Sequence, residues 1–356
     1  MALNQLSIVD CDGHVIESIS ELADFLDPAI RRQALAPVRN REGVFPSLDG
    51  MHYFFHDVDA AYKGRERETA SAHRPGSGED WLAFLDKAGI ERSVMFTTEG
   101  LSVGFIQLSH YAIKLCRGYN DYIAERYRRV SDRLHPMALL PMQDVGAAVL
   151  ELRRAVKELD LPGAMLPATG LPLHLGHEYY TPLYEEAANL DCVLGLHGGS
   201  NRGIGIDSFS DWTASHVLHH PMPLMIGMTS LVCHGVLDRY PNLRVGFYEG
   251  GCGWLVCLLD RLERDEQYSE GVSSRSLEDY LTNGQILIGC EGEDTSLSYL
   301  VQRVGVEPFA YSSDYPHEVD YLDAKRQIQK TLDRSDLSDA DKAAILGGNA
   351  RRFYRL

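Results

Sequence analysis

Asp10, Asp12 and His14 follow the apolar run 6–9, and three more such runs end in the same way. His197 follows 192–196, Glu249 follows 243–248 and Asp314 follows 309–313. Carboxylates and imidazoles are the side chains that hold divalent metals. An apolar run ending in one of them reads as a buried strand that delivers a polar group to a cleft. Asp12 and His14 are two residues apart, so on a strand they point to the same face and can share one ion. His197 opens HGGS, whose glycines turn the chain sharply and leave room beside the imidazole. The plain alternatives are a strand-end aspartate, a satisfied core histidine and a turn-forming Asp314 before Pro316. Their coincidence at the ends of several runs favours a metal site.

The elements that must position these residues alternate along the chain. Strand-like runs occur at 6–11, 91–98, 134–140, 162–167, 191–197, 243–249, 285–289 and 309–313. Amphipathic helical patterns occupy 79–89, 104–129, 144–158, 177–190 and 254–268. Eight strands separated by helices in 356 residues predict an α/β fold, a distorted (β/α)8 barrel forming a single domain over 1–356. Such a barrel gathers its functional groups at the C-terminal ends of its strands. The segment 18–78 breaks the repeat and reads as an insertion after the first strand, placed like a lid over the barrel mouth. The end of the chain, 338–356, reads as a helical tail of two helices, capped by Ser338 and broken at Gly347 and Gly348.

The net charge of −17 argues against nucleic acid or an anionic membrane as partner. No apolar stretch approaches the roughly 20 residues that span a bilayer. The first residues carry no basic, signal-like pattern. The expectation is a cytoplasmic protein with a small-molecule substrate, and with a homodimer left open. The seven cysteines lie mostly inside apolar runs, which suits reduced, buried thiols.

Five segments together resemble one family. VDCDGH, LHGG, HGVLDRYPNLRVGFYEGGCGW, YSSDYPH and ILGGNARRFY are similar to the amidohydrolase superfamily, and within it to the amidohydrolase-2 group related to aminocarboxymuconate-semialdehyde decarboxylase. The resemblance implies a TIM barrel with a metal at the strand C-terminal ends. It also implies ligands from an HxH pair on the first strand, a histidine each on the fifth and sixth, and an aspartate on the eighth. These positions carry over to Asp12 and His14, His197, Glu249 and Asp314. Three departures stand out. The first HxH residue is Asp12, the sixth-strand position is Glu249, and the fourth strand (GAMLPA) lacks the lysine that bridges binuclear hydrolases.

Further polar residues enlarge the ligand inventory. Glu17 lies three residues after His14, and His216, His219 and His220 cluster before the next helical run. The metal set expected is Asp12, His14, Glu17, His197, His220, Glu249 and Asp314. Which of His216, His219 and His220 reaches the site stays open, and Asp12 is chosen over Asp10 on its family position. So many carboxylates, with no thiolate, point to two irons. The leading expectation is a non-heme diiron monooxygenase that hydroxylates a small organic substrate of natural-product type. Tyr53, Phe54, Phe55, Met222, Met225 and Met228 would line its pocket. The alternative is a mononuclear Zn2+ or Mn2+ non-oxidative decarboxylase or hydrolase of a carboxylate-bearing cyclic substrate. Glu249 or His234 would be its acid–base group, with Arg74 and Arg202 as substrate partners. A structural metal or a mere polar network ranks last, because barrel-mouth clusters seldom serve structure.

Overall fold

Among the described residues, nine short parallel strands, alternating with helices, close into a barrel. The structure, a computed structural model, describes residues 6–34, 44–46, 76–199, 203–209, 212–266, 274–317 and 319–356. The strands are β1 (Val9–Val15), β2 (Arg92–Thr97), β3 (Leu134–Pro136), β4 (Ala138–Leu139), β5 (Gly163–Pro167), β6 (Val193–His197), β7 (Arg244–Tyr248), β8 (Ile286–Cys290) and β9 (Phe309–Tyr311). They hydrogen-bond in the order β1-β2-β3 and β4-β5-β6-β7-β8-β9. β3 and β4 are two halves of one path, interrupted at Met137, whose N–H donates to Met95. The seam between first and last strands closes just beyond β9. Asp314 N–H donates to the Asp12 carbonyl at 2.8 Å, and His14 N–H donates to the Tyr315 carbonyl at 2.6 Å. Eight strand positions around one core make the barrel expected from the sequence.

The strands are buried on both faces, apart from the first residues of β2 and β7. Parallel strands roofed by helices must be apolar throughout, which is why they read as unbroken apolar runs. The helices carry clear start signals. Ser77, Ser276, Asp320 and Ser338 each cap a helix, with an aspartate three residues on answering the cap.

Three details differ from the sequence reading. β1 begins and ends later than 6–11, so Asp12 and His14 lie inside it rather than beyond its end. The tail does not break at its glycines. Asp339–Ala343, a wide turn over Ala344–Gly348 and Asn349–Tyr354 run on as one path. A Cβ on Gly347 would lie 2.1 Å from the Ser7 carbonyl, so that glycine lets the tail press against the chain entering β1. The start of the 18–78 insertion forms two short helices, Ile19–Phe25 and Pro28–Ala34, the first of which packs on the outer helix Ser109–Ile123. Most of the rest, with Tyr53, Phe54, Phe55 and Arg74, lies outside the described residues, as does Arg202.

Candidate metal centre

β1, β6 and the residues just beyond β7 and β9 bring five side chains of three kinds to one point at the barrel mouth. His197 Nε2 lies 3.3 Å from Asp12 Oδ1 and 3.2 Å from Glu249 Oε2. His14 Nε2 lies 3.7 Å from Asp12 Oδ1, 3.8 Å from Glu249 Oε2 and 3.4 Å from Asp314 Oδ1. Ligands about 2.1 Å from a shared ion stand about 3–3.5 Å apart, so these spacings suit one cation. The burial is near complete: Asp12 and His14 are 0 % exposed and His197 is 1 % exposed.

Hydrogen bonding leaves the inward atoms unsatisfied. His14 Nδ1 meets the Thr97 carbonyl at 2.9 Å, and His197 Nδ1 meets the Gly198 carbonyl at 2.9 Å. A carbonyl can only accept, so each Nδ1 carries a proton and each Nε2 is the nitrogen turned inward, where a cation can bind it. Those two Nε2 atoms, both Asp12 oxygens and Glu249 Oε2 have no hydrogen-bond partner in the chain. Buried polar atoms without partners are costly, and a cation satisfies all five at once. The residues present therefore fit a divalent metal.

The backbone aims two of the carboxylates. Glu249 and Asp314 adopt φ of 60° and 58°, a left-handed conformation that L-residues rarely hold. Each costs about 1–2 kcal/mol and turns the chain abruptly at the end of its strand. After β6 the chain turns at Gly198, where a Cβ would stand 3.0 Å from His220 Cα. Glycine there lets the His219–His220 segment pass beside the site.

Charges couple across the centre. Burial pushes the Glu249 carboxyl up, and the neighbouring Asp314 pushes it further. Burial also raises Asp12, with His197 opposing. Burial would lower His197, but Asp12 and Glu249 outweigh it and lift the imidazole to about 9. His14 falls well below its usual value through burial and the nearby His317 and His197. His317, the last residue of YSSDYPH, is a full member of the site. Its Nδ1 donates to Asp314 Oδ1 at 2.8 Å, and its Nε2 lies 3.0 Å from Thr98 Oγ1. Burial disfavours its charge, but Asp314 and Glu249 raise it well above the usual imidazole range.

Asp12, His14, His197, Glu249 and Asp314 thus come together at one point. Asp10 does not join them. Its carboxylate accepts from Ser93 Oγ at 2.7 Å and from Ser313 N–H and Oγ at 2.9 Å each. Glu17, expected as a ligand, is also engaged elsewhere. It accepts from the Thr97 hydroxyl, and from Glu99 N–H at 3.0 Å. His220, expected in the same set, stands on the far side of Glu249. Its Nε2 lies 3.5 Å from Glu249 Oε1, the oxygen that also faces His317 Nδ1 at 3.7 Å. His234, expected as an acid–base group, caps the helix Pro221–Cys233, bonds the Ser230 carbonyl and packs its ring on His174. Met228 is fully buried in the core on that helix, and Met225 packs partly against it.

The barrel and its mouth define a class of protein, and the sequence match agrees. The chain matches the amidohydrolase family model over residues 9–356 and belongs to that family. Among curated proteins it is 25 % identical over 277 residues to 2-amino-3-carboxymuconate-6-semialdehyde decarboxylase of Dictyostelium discoideum, covering 76 % of this chain and 75 % of that one. It is 26 % identical over 291 residues to gamma-resorcylate decarboxylase of Rhodococcus jostii, covering 77 % and 86 %. Among solved structures, 5-carboxyvanillate decarboxylase of Novosphingobium aromaticivorans, complexed with manganese and 4-hydroxy-3-methoxy-5-nitrobenzoic acid, superposes with a TM-score of 0.70. The identity is 19 %, and both chains are covered in full (100 %). The diiron monooxygenase expected from the sequence is overturned by these relatives, which are decarboxylases. The iron pair has no support among them either. The abundance of carboxylates misled. Glu17 is hydrogen-bonded to β2 and the turn after it, so it does not join Glu249, whose Oε2 faces His197. No helix among the described residues is long and apolar enough to cross a membrane.

Proposed function

We propose that this protein is a metal-dependent non-oxidative decarboxylase of a cyclic substrate that bears a carboxylate. The observation that carries the reading is the set of unpartnered inward atoms of Asp12, His14, His197 and Glu249. The decarboxylase activities of the relatives support it. Two imidazoles with carboxylates and no thiolate suit one Mn2+ or Zn2+. When bound, such an ion polarises the substrate and offsets its negative charge.

The reaction needs no oxidant. The carbon–carbon bond to the carboxylate breaks, CO2 leaves, and the ring carbon takes a proton. The protein must therefore hold a proton near that carbon. His317 holds one on Nδ1, shared with Asp314 Oδ1 at 2.8 Å, and Thr98 Oγ1 fixes the other end of the ring. We assign the proton transfer to the Asp314–His317 pair. Glu249, with Oε2 among the inward atoms, serves as a ligand; the free acid–base role expected for it passes to that pair. The dry walls of β1 and β6 exclude water from the inner side of the centre.

The test is a panel of hydroxylated aromatic carboxylates, including 2,6-dihydroxybenzoate and 5-carboxyvanillate, with enzyme loaded with Mn2+ or Zn2+. CO2 release without oxygen uptake, with one deuterium placed on the vacated ring carbon in D2O, is the expected result. Hydrolysis of an amide or ester panel, with no CO2 from any carboxylate, overturns the reading.

A further inference from the structure

Beside the centre lies a second group of metal-binding side chains that the proposed reaction does not use. The helix Trp212–His219 ends where the helix Pro221–Cys233 begins, and His220 is the junction. His216, His219 and His220 are spaced three and four residues apart, so one helical face collects all three imidazoles. One nitrogen of each lies within 4.8 Å of the other two. His219 and His220 bring their Nε2 atoms to 2.5 Å. His219 and His220 are only 9 % and 8 % exposed, and the Nδ1 of each is buried with no hydrogen-bond partner. Ordinary core histidines are not packed in this way. A buried imidazole normally finds a donor for one nitrogen and an acceptor for the other.

The position adds a fourth donor. Glu249 turns Oε2 toward His14 and His197, while Oε1 lies 3.5 Å from His220 Nε2. We propose that His216, His219 and His220 bind a second divalent cation of the zinc class, with Glu249 Oε1 within reach as a further ligand. Imidazole donors without thiolate suit zinc, nickel or cobalt, and disfavour magnesium and calcium, which take oxygen. The three nitrogens already lie within 4.8 Å of one another, so small side-chain rotations bring them to the spacing of a common ion. Glu249 would then reach one ion through each of its oxygens.

The proposal rests on the first centre only through Glu249, so the experiment separates the two. Metal-stripped full-length protein is dialysed against Co2+ or Zn2+, and bound metal per chain is counted by plasma mass spectrometry, with Co2+ absorption recorded alongside. Wild type is expected to hold two ions. His216→Ala and His219→Ala are each expected to hold one, and Asp12→Asn/His14→Ala also one. One ion in wild type, with one still held by His219→Ala, overturns the second site and leaves the decarboxylase reading standing. Two ions retained in both histidine variants, or none held by Asp12→Asn/His14→Ala, overturns it as well. The half-buried His216 is the variant least able to disturb folding, and the wild-type stoichiometry decides even if the others misfold.

Discussion

At the foot of the barrel, where the strands begin, Gln285 Nε2 donates to the Leu237 and Tyr240 carbonyls at 3.0 and 3.1 Å. Asn349 Nδ2 donates there to the Val306 and Phe309 carbonyls at 2.7 Å each. At the mouth, Asp12, His14, His197 and Glu249 leave buried atoms with no partner in the chain. Both ends bury polar groups, but the two amides at the foot are satisfied from within. The two amides at the foot tie loops to strand starts and stabilise the fold. The mouth leaves its polarity for something that the chain does not supply, at a cost in stability until that ligand arrives. The same strand shows the contrast at close range. Asp10 is saturated by Ser93 and Ser313, whereas Asp12, two residues on, has both oxygens open.

Replacing Asp12 should break this comparison most sharply. Asp12→Ala is expected to lose the bound metal and roughly 10³-fold in kcat/KM. The metal-free variant should also be less stable than metal-free wild type, because the buried His197 imidazole loses its carboxylate partner. Metal content, decarboxylation rate and urea midpoints of both apo proteins check this. A variant that keeps its metal and its rate would move the centre elsewhere.

Glu17 gives the next largest effect, and its sign follows from its burial. Burial lifts its carboxyl from 4.5 to about 7, with the Thr97 and Glu99 hydrogen bonds opposing and the Glu99 charge adding a smaller upward push. The folded state therefore holds an extra proton between those values. Stability is greatest below the window and falls as pH rises through it, by about 1–3 kcal/mol. Glu17→Gln should flatten that slope, read as urea midpoints between pH 4.5 and 8. An unchanged slope refutes the assignment.

At the foot, Asn349→Ala strips two buried carbonyls of their donor. The expected loss is about 2 kcal/mol of stability, with kcat per folded enzyme unchanged. A large fall in kcat would show that foot and mouth are not separable. The smallest change is Thr98→Val, which frees the outer nitrogen of His317. We expect kcat to fall about tenfold with metal content unaltered, and the limb of the pH–rate profile that reports His317 to move. Recovery in Thr98→Ser would confirm that the hydroxyl, not the methyl, positions the ring.

The strand count, the capped start of the tail helix at Ser338 and the positions of Asp12, His14, His197, Glu249 and Asp314 were legible in the sequence. Each rests on a local rule: apolar runs of strand length, a period of two along β1, and a polar side chain at or near the C-terminal end of its strand. The ligand types alone did not decide the chemistry. The same carboxylates and imidazoles suit an iron pair or a single ion, and it was the decarboxylase relatives that weighed against oxygenation.

What the tertiary structure decided lies wherever the deciding partner is distant in sequence. Asp10 and Asp12 look alike in the chain, yet Ser93 and Ser313, 83 and 303 residues away from Asp10, claim one and leave the other open. Glu17 has the spacing of a ligand but is taken by Thr97, 80 residues on. His220 and His234 are both histidines on helical segments. The break between two helices turns the first toward Glu249, while the second caps its helix and packs against His174. Spacing along a chain fixes which face a side chain shares with its neighbours. Only the closed barrel fixes which distant donor or acceptor that face meets, and a buried polar group takes its role from that partner.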